Sequence, residues 1–283
     1  MKLLITGGTG FLGRRAAEHF RSLGHTVLTP GRQELDITHR DQVLAWLQTH
    51  RPQWVLHTAA VSDTQACQLD PAATGRVNRD APGYLAEACA AVGAKLVFCS
   101  SDQVYSGSPW PGPHREEEIL NPLPEYARQK LEAEGRCLAA APDAVCLRLT
   151  WMYSRDSRPG EHGHLLATLL NALRKGEPMS FPICDRRGIT PVEDVIRNLP
   201  EVFGLPGGVY NFGCENTAST YATLRSCLER LQAWEALSRL TPNEAAFAAA
   251  PRDISMDCRR IHANRITFPD TKTCLTAALK ENL

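Results

Sequence analysis

The 283-residue sequence predicts an α/β fold of the doubly wound kind, a parallel sheet with helices on both faces followed by a smaller C-terminal region. Three observations carry this. Short β-prone runs alternate with helical periodicity through the first half, a glycine-spaced turn follows the first run directly, and the rhythm breaks after Trp151.

Residues 2–5, 26–28, 54–58, 95–99 and 144–150 are apolar, β-prone runs and are expected to be strands. Between them 11–23, 42–49, 78–92 and 126–138 carry apolar residues at helical spacing. Gly24 falls where a helix C-cap belongs, and Pro52 ends the helix before the strand at Trp54. After Trp151 come a polar stretch over 154–163, a helix over 165–175, a helix over 192–203 and a strand over 209–212. The expected division is residues 1–150 as a dinucleotide-binding domain and 151–283 as a mainly substrate-binding region, with 186–212 rejoining the first sheet. The run 245–250 is compatible with a helix or a small-residue loop.

Hydrophobic residues make up 43% and charged residues 22%, a globular composition. Lys plus Arg and Asp plus Glu both number 31, so the net charge is zero. A nucleic-acid or acidic-membrane partner needs clustered excess positive charge, which points instead to a small molecule. The ten cysteines are scattered, with no C-x-x-C pair and no zinc-ligand spacing, and read as small buried hydrophobes. Neither a signal-peptide apolar region nor a run of roughly 18 apolar residues is present, so a reducing, cytoplasmic setting is expected.

After the first strand stands Thr6-Gly7-Gly8-Thr9-Gly10-Phe11-Leu12-Gly13, giving Gly7, Gly10 and Gly13 three apart where a helix opens. Glycines there allow a tight turn and close approach of backbone to a diphosphate, and the helix N-terminus offers oriented N–H groups. The position makes the first domain Rossmann-type. The second strand ends without an Asp or Glu to accept from a ribose 2′-hydroxyl; Arg32 stands there instead. A guanidinium suits a 2′-phosphate, so NADP(H) is expected, with NAD(H) as the second choice.

Tyr126 and Lys130 are four residues apart, hence on one helix face. An ammonium near a phenol is expected to lower its pKa from about 10 toward working pH, which general acid–base catalysis needs. Ser101, at the carboxyl edge of the sheet, can hydrogen-bond a substrate carbonyl.

Taken together, the glycine turn, His57-Thr58-Ala59-Ala60, Asn78, Ser100-Ser101-Asp102 and Tyr126-x-x-x-Lys130 strongly resemble an extended short-chain dehydrogenase/reductase. Within that superfamily the chain is most similar to the dTDP-4-dehydrorhamnose reductase group. That group shows S-T-D-Y-V-F where this chain has residues 100–105, R-T-S-W-V-Y where it has 148–153, and R-P-x-N-S-x-L-D near 251–257. Gln103 replaces a usual tyrosine and Asp253 stands near a usual asparagine. The resemblance implies that Ser101, Asp102, Tyr126 and Lys130 are catalytic, Tyr126 giving the proton and Lys130 binding nicotinamide ribose. It implies that Gln103, Trp151 and Arg252 border a nucleotide sugar. It also implies that Thr9, Phe11, Leu12, Asp36, Ile37, Thr58, Ala59 and Ala60 join the three glycines and Arg32 around the dinucleotide.

The implied activity is NADPH-dependent reduction of a nucleotide-linked 4-keto-6-deoxysugar. Two alternatives stand beside it: nucleotide-sugar epimerisation, and a non-catalytic NADP-binding subunit resembling the regulatory subunit of methionine adenosyltransferase. Dehydration is disfavoured because Gln103 follows Asp102, and an amide cannot remove a proton as a carboxylate does. The expected partners are the small nucleotide sugar and at most a second copy of the chain as a homodimer, with no nucleic acid, no membrane and no metal. His57 is expected to be a core histidine, Cys99 a packing residue, Glu116-Glu117-Glu118 a solvated loop, and Glu161-His162-Gly163-His164 an ordinary polar loop.

Overall fold

A computed structural model describes residues 1–156 and 165–282. By its contacts the chain divides into two compact units, Met1–Val104 with Leu120–Arg148 and Ile196–Tyr210, and Tyr105–Ile119 with Leu149–Val195 and Asn211–Leu283. The Glu161–His164 stretch lies outside the described residues.

The first unit is built on strands β1 (Lys2–Thr6), β2 (Thr26–Leu28), β3 (Trp54–His57), β4 (Lys95–Ser101) and β5 (Val145–Leu149), with the strand Gly208–Phe212 at one edge. From that edge the order is Gly208–Phe212, β5, β4, β3, β1, β2. β1 pairs in parallel with both β2 and β3, and β3 in parallel with β4. Having run from β1 to β2 on one side, the chain crosses to β3 on the other, which leaves a crevice at the carboxyl ends of β1 and β3. Open α/β sheets bind ligands at such a switch point.

The helices of this unit are α1 (Phe11–Ser22), α2 (Arg40–His50), α3 (Thr64–Leu69), α4 (Pro71–Gly75), α5 (Ala81–Val92) and α6 (Glu125–Ala140). Gly24 and Gly93, both left-handed, follow α1 and α5. α2 ends one residue before Pro52 is reached, on Arg51 with φ 47°. One core is formed by Leu4, Val55, Leu96 and Phe98 of the sheet with Val43, Leu47, Leu85 and Cys137 of the helices. Near α1, Trp54 stacks on Phe203 with centroids 4.3 Å apart, and Phe20 meets both rings edge-on.

The expected helix over 78–92 is two pieces: Arg76–Asp80 is a π-helical turn and α5 begins only at Ala81. Asn78 is the reason this turn is stable where it is. Wholly buried, it donates from Nδ2 to Val61 O and to Gln129 Oε1, both at 2.9 Å, while Val61 N donates to its Oδ1 at 2.8 Å. Such π-bulges recur at functional sites.

The second unit has its own core, in which Tyr153, Leu169, Met179, Ile189, Leu224, Leu228 and Leu275 are buried together. Three short parallel pairs frame it: Trp151–Tyr153 with Ile189–Pro191, Met179–Pro182 with Leu240–Asn243, and Asp185–Arg186 with Arg252–Asp253. Residues 245–250 form bends and turns, and no helix. The glutamate run is not simply solvated. Glu118 lies 2.8 Å from buried His114 and accepts from Arg115 N, and Glu116 accepts from Asn211 N at 2.9 Å. A sequence window shows three charges but not the distant Asn211 that satisfies one of them.

Candidate active site

A cavity of about 470 Å³ opens at the crevice between β1 and β3. Gly7, Thr9, Gly10, Arg32, Asp36, Ile37, Thr58, Ala59 and Ala60 all line it. Thr6, Gly8 and Gly31 line it too, as do Thr29, Pro30, Leu35, Thr38, Val61 and Val77, of which Leu35, Thr38 and Val77 carry no motif signal that would have singled them out. Gly7 has φ +69°, and a Cβ there would stand 2.8 Å from Ala59 N. A Cβ on Gly13 would run into the Gly7 carbonyl and lie 2.7 Å from Thr58 Oγ1. These two positions therefore require glycine for a turn pressed against the loop after β3. Leu12 and Gly13 are buried in helix packing, and Phe11 lies under the Arg15 guanidinium at 4.7 Å.

The N-terminus of α1 has no side-chain cap and no acidic residue in its first turn, so no side chain of its own competes there with an anion. At the rim, Arg32 is 83% exposed and its Nε lies 3.2 Å from Asp36 Oδ2. Hydrogen bonds from the Thr38 hydroxyl and backbone N–H, with Arg32 beside them, hold the Asp36 carboxyl down at about 2. The acid that β2 lacks thus stands four residues after Arg32 and shares its cavity. A turn that excludes side chains and an uncapped helix start fit a dinucleotide.

β4 and α6 bring the reactive side chains together. Tyr126, 9% exposed, lies close enough to the Ser101 side chain and to the Asp102 carboxylate for both to act on its phenol. Ser101 Oγ donates to Asp102 Oδ1 at 3.3 Å and accepts from Gln103 N at 3.2 Å. Lys130, one turn beyond Tyr126, donates to Cys99 O at 2.8 Å, with Nζ 4.7 Å from the Phe98 ring centroid and 5.8 Å from that of Tyr126.

The electrostatics correct one expectation. Burial raises the Tyr126 phenol above its ordinary value, the Asp102 carboxylate raises it further, and the Ser101 side chain only partly offsets them. Lys130 is itself pulled down to about 8 by burial, and its ammonium is engaged by a carbonyl and ring faces. Desolvation therefore outweighs the pull of the lysine, and Tyr126 keeps its proton at neutral pH. Behind this cluster His57 is buried, 2.6 Å from the Thr6 hydroxyl, and burial followed by the Lys130 charge lowers it to about 3. Burial pushes the Cys99 thiol up to about 12, so it is no nucleophile.

Gln129 is a residue that motif reading passed over, although it lies between Tyr126 and Lys130. It accepts from Asn78 and donates to Thr74 Oγ1 and Glu125 Oε1, both at 3.0 Å, joining α6 to the π-turn. The two remaining substrate candidates belong to the second unit. The Arg187 guanidinium lies 5.3 Å from the Trp151 ring centroid, and Arg252 pairs with Asp185 at 2.7 Å while lying over Phe247.

A sheet of this order, a glycine-lined crevice, and a serine–tyrosine–lysine cluster beside it define an extended short-chain dehydrogenase/reductase. The family model described as the RmlD substrate binding domain matches residues 1–283, and the chain belongs to that family. It is 30% identical over 235 residues to the dTDP-4-dehydrorhamnose reductase of Mycolicibacterium smegmatis, covering 82% of this chain and 70% of that one. It is 27% identical over 297 residues to the methionine adenosyltransferase 2 subunit beta of Bos taurus, covering 100% of this chain and 87% of that one. The crystal structure of the dTDP-4-dehydrorhamnose reductase of Bacillus anthracis in complex with NADP superposes with a TM-score of 0.85 at 20% identity, covering 100% of this chain and 99% of that one.

Proposed function

We propose that the protein reduces a nucleotide-linked 4-keto-6-deoxysugar with NADPH, as a dTDP-4-dehydrorhamnose reductase does. The observation that carries the reading is the buried Tyr126 phenol beside the Ser101 side chain with Lys130 one turn away. Reduction of a carbonyl needs a proton donor, and a phenol held above its ordinary pKa is an acid at neutral pH. Tyr126 gives that proton to the carbonyl oxygen, Ser101 hydrogen-bonds the same oxygen, and Asp102 keeps the phenol protonated until the oxygen becomes basic. Gly7, Gly10 and the start of α1 hold the diphosphate, Arg32 faces the 2′-phosphate, and Lys130 binds the nicotinamide ribose. When bound, the dinucleotide supplies the hydride. Gln103, Trp151 and Arg252 are assigned to the sugar nucleotide on the family likeness. Ten free cysteines support a reducing, cytoplasmic setting.

The test mixes purified protein, NADPH and a dTDP-4-keto-6-deoxysugar and follows loss of nicotinamide absorbance, with Tyr126→Phe as control. Wild type should turn over, while the variant should lose a factor of about 10² or more and still bind NADPH. The full-length match to the methionine adenosyltransferase subunit favours a second reading, an NADP-binding regulatory subunit. NADPH binding without oxidation, together with a stable complex with a partner enzyme, would decide for it.

A further inference from the structure

Tyr126, Lys130 and Glu134 follow one another at four-residue intervals along α6, and each is buried. All three reach the last three residues of β4: Tyr126 meets the Ser101 side chain, Lys130 donates to Cys99 O, and Glu134 accepts from Ser100 Oγ at 2.5 Å. The third rung is the unusual one. Glu134 is 2% exposed and bound by the fork of Arg148, itself 3% exposed, with Nε 3.0 Å from Oε1 and a terminal nitrogen 2.7 Å from Oε2. A buried ion pair of this kind is weak support for a fold, since apolar residues of similar volume often do as well. Its place beside a buried ammonium gives it another purpose.

We infer that Glu134, locked by Arg148, is a positioning residue of this site: it fixes the serine end of β4 against α6 through Ser100, and its charge keeps the Lys130 ammonium protonated. The inference rests on the reading of Tyr126 and Lys130 as the working pair. The titratable groups that face Lys130 are the Cys99 thiol from β4, the Cys67 thiol from α3, the His57 imidazole from β3, and the Tyr126 phenol, Cys137 and Glu134 from α6 itself. Glu134 is the one carboxylate among them. Burial works against the ammonium, and the carboxylate works for it.

The experiment titrates Lys130 directly in the cofactor-free protein, by ¹³C NMR of ε-labelled lysine, the signal being assigned by its loss in Lys130→Met. Glu134→Gln keeps the volume and removes the charge. Because that leaves Arg148 as a lone buried cation, the pair Glu134→Leu with Arg148→Met is measured beside it. Glu134→Gln should move the Lys130 midpoint toward acid by about one pH unit, the double variant, which also removes the Arg148 charge, should move it the same way by less, and the alkaline limb of NADPH oxidation should move with it. A purely structural role would lower the melting temperature and leave the midpoint in place. Ser100→Ala, which leaves the ion pair intact, should keep the midpoint and NADPH affinity but lower kcat about tenfold. An unmoved midpoint in the folded double variant overturns the inference, as does a wild-type kcat in Ser100→Ala. The NMR titration needs no substrate, so a failure of the proposed reaction reads separately from a failure of this inference.

Discussion

Arg32 and Asp36 show how one residue's role depends on its neighbour. A guanidinium alone at the end of β2 selects a 2′-phosphate, but here Asp36 lies 3.2 Å from its Nε and stays ionised down to about pH 2. The pair keeps Arg32 oriented in the cavity while leaving its terminal nitrogens to bind. Arg32→Ala should weaken NADPH by roughly tenfold or more and leave NADH nearly unchanged, measured by fluorescence titration with both cofactors. His57 makes a second residue-scale prediction. Its folded pKa is about 3 against an ordinary 6.5, so below 6.5 the unfolded chain takes up a proton that the folded one refuses. Stability should therefore fall as pH drops from about 6.5 toward 3 and be independent of this group above that range. Urea unfolding across this interval should show a shallower loss in His57→Leu than in wild type.

Among the elements, the π-turn at Arg76–Asp80 illustrates where reading a sequence stops. Residues 78–92 carry helical spacing, and the helix is there, but the extra residue in the first turn is stabilised by Val61 and Gln129, respectively 17 and 51 positions away. Periodicity registers neighbours on one helix, not partners elsewhere. Asn78→Ala removes the hydrogen bonds to Val61 N, Val61 O, Cys67 Sγ and Gln129 Oε1, and of these groups Val61 O still accepts from Cys67 Sγ. The substitution should cost about 3 kcal/mol, read as a lower urea midpoint with unchanged m-value. α1 and β1 behave differently. Their ends were legible because Gly24 and the Gly7–Gly13 turn impose backbone conformations that few other residues reach.

Across the whole molecule, the described residues contain no helix long and apolar enough to cross a membrane. The chain carries no net charge. Binding to the folded state alone should stabilise the protein: NADPH at ~100 times Kd adds about 2.7 kcal/mol. Differential scanning calorimetry with increasing NADPH should show the melting temperature rising with ligand, and no rise would exclude the glycine-lined cavity as its site. The division into two units was less legible than the sheet. Tyr105–Ile119 lies between two parts of the first unit in sequence yet groups with the second, because His114 contacts Asp253 O and Tyr105 donates to Asn211. These partners are more than a hundred residues away.

By itself the sequence determined the alternation of strands and helices, the glycine turn, and the spacing of Tyr126 and Lys130. Each of these is a local matter of backbone conformation, period or burial, and local matters are written within a few residues of one another. Only the tertiary structure decided the protonation of the site. Whether Tyr126 stands ready as phenol or phenolate depends on how deeply it is buried and on Asp102 across from it, and whether Lys130 keeps its charge depends on the depth of the same pocket. Desolvation and charge act through space, over distances that chain order does not measure.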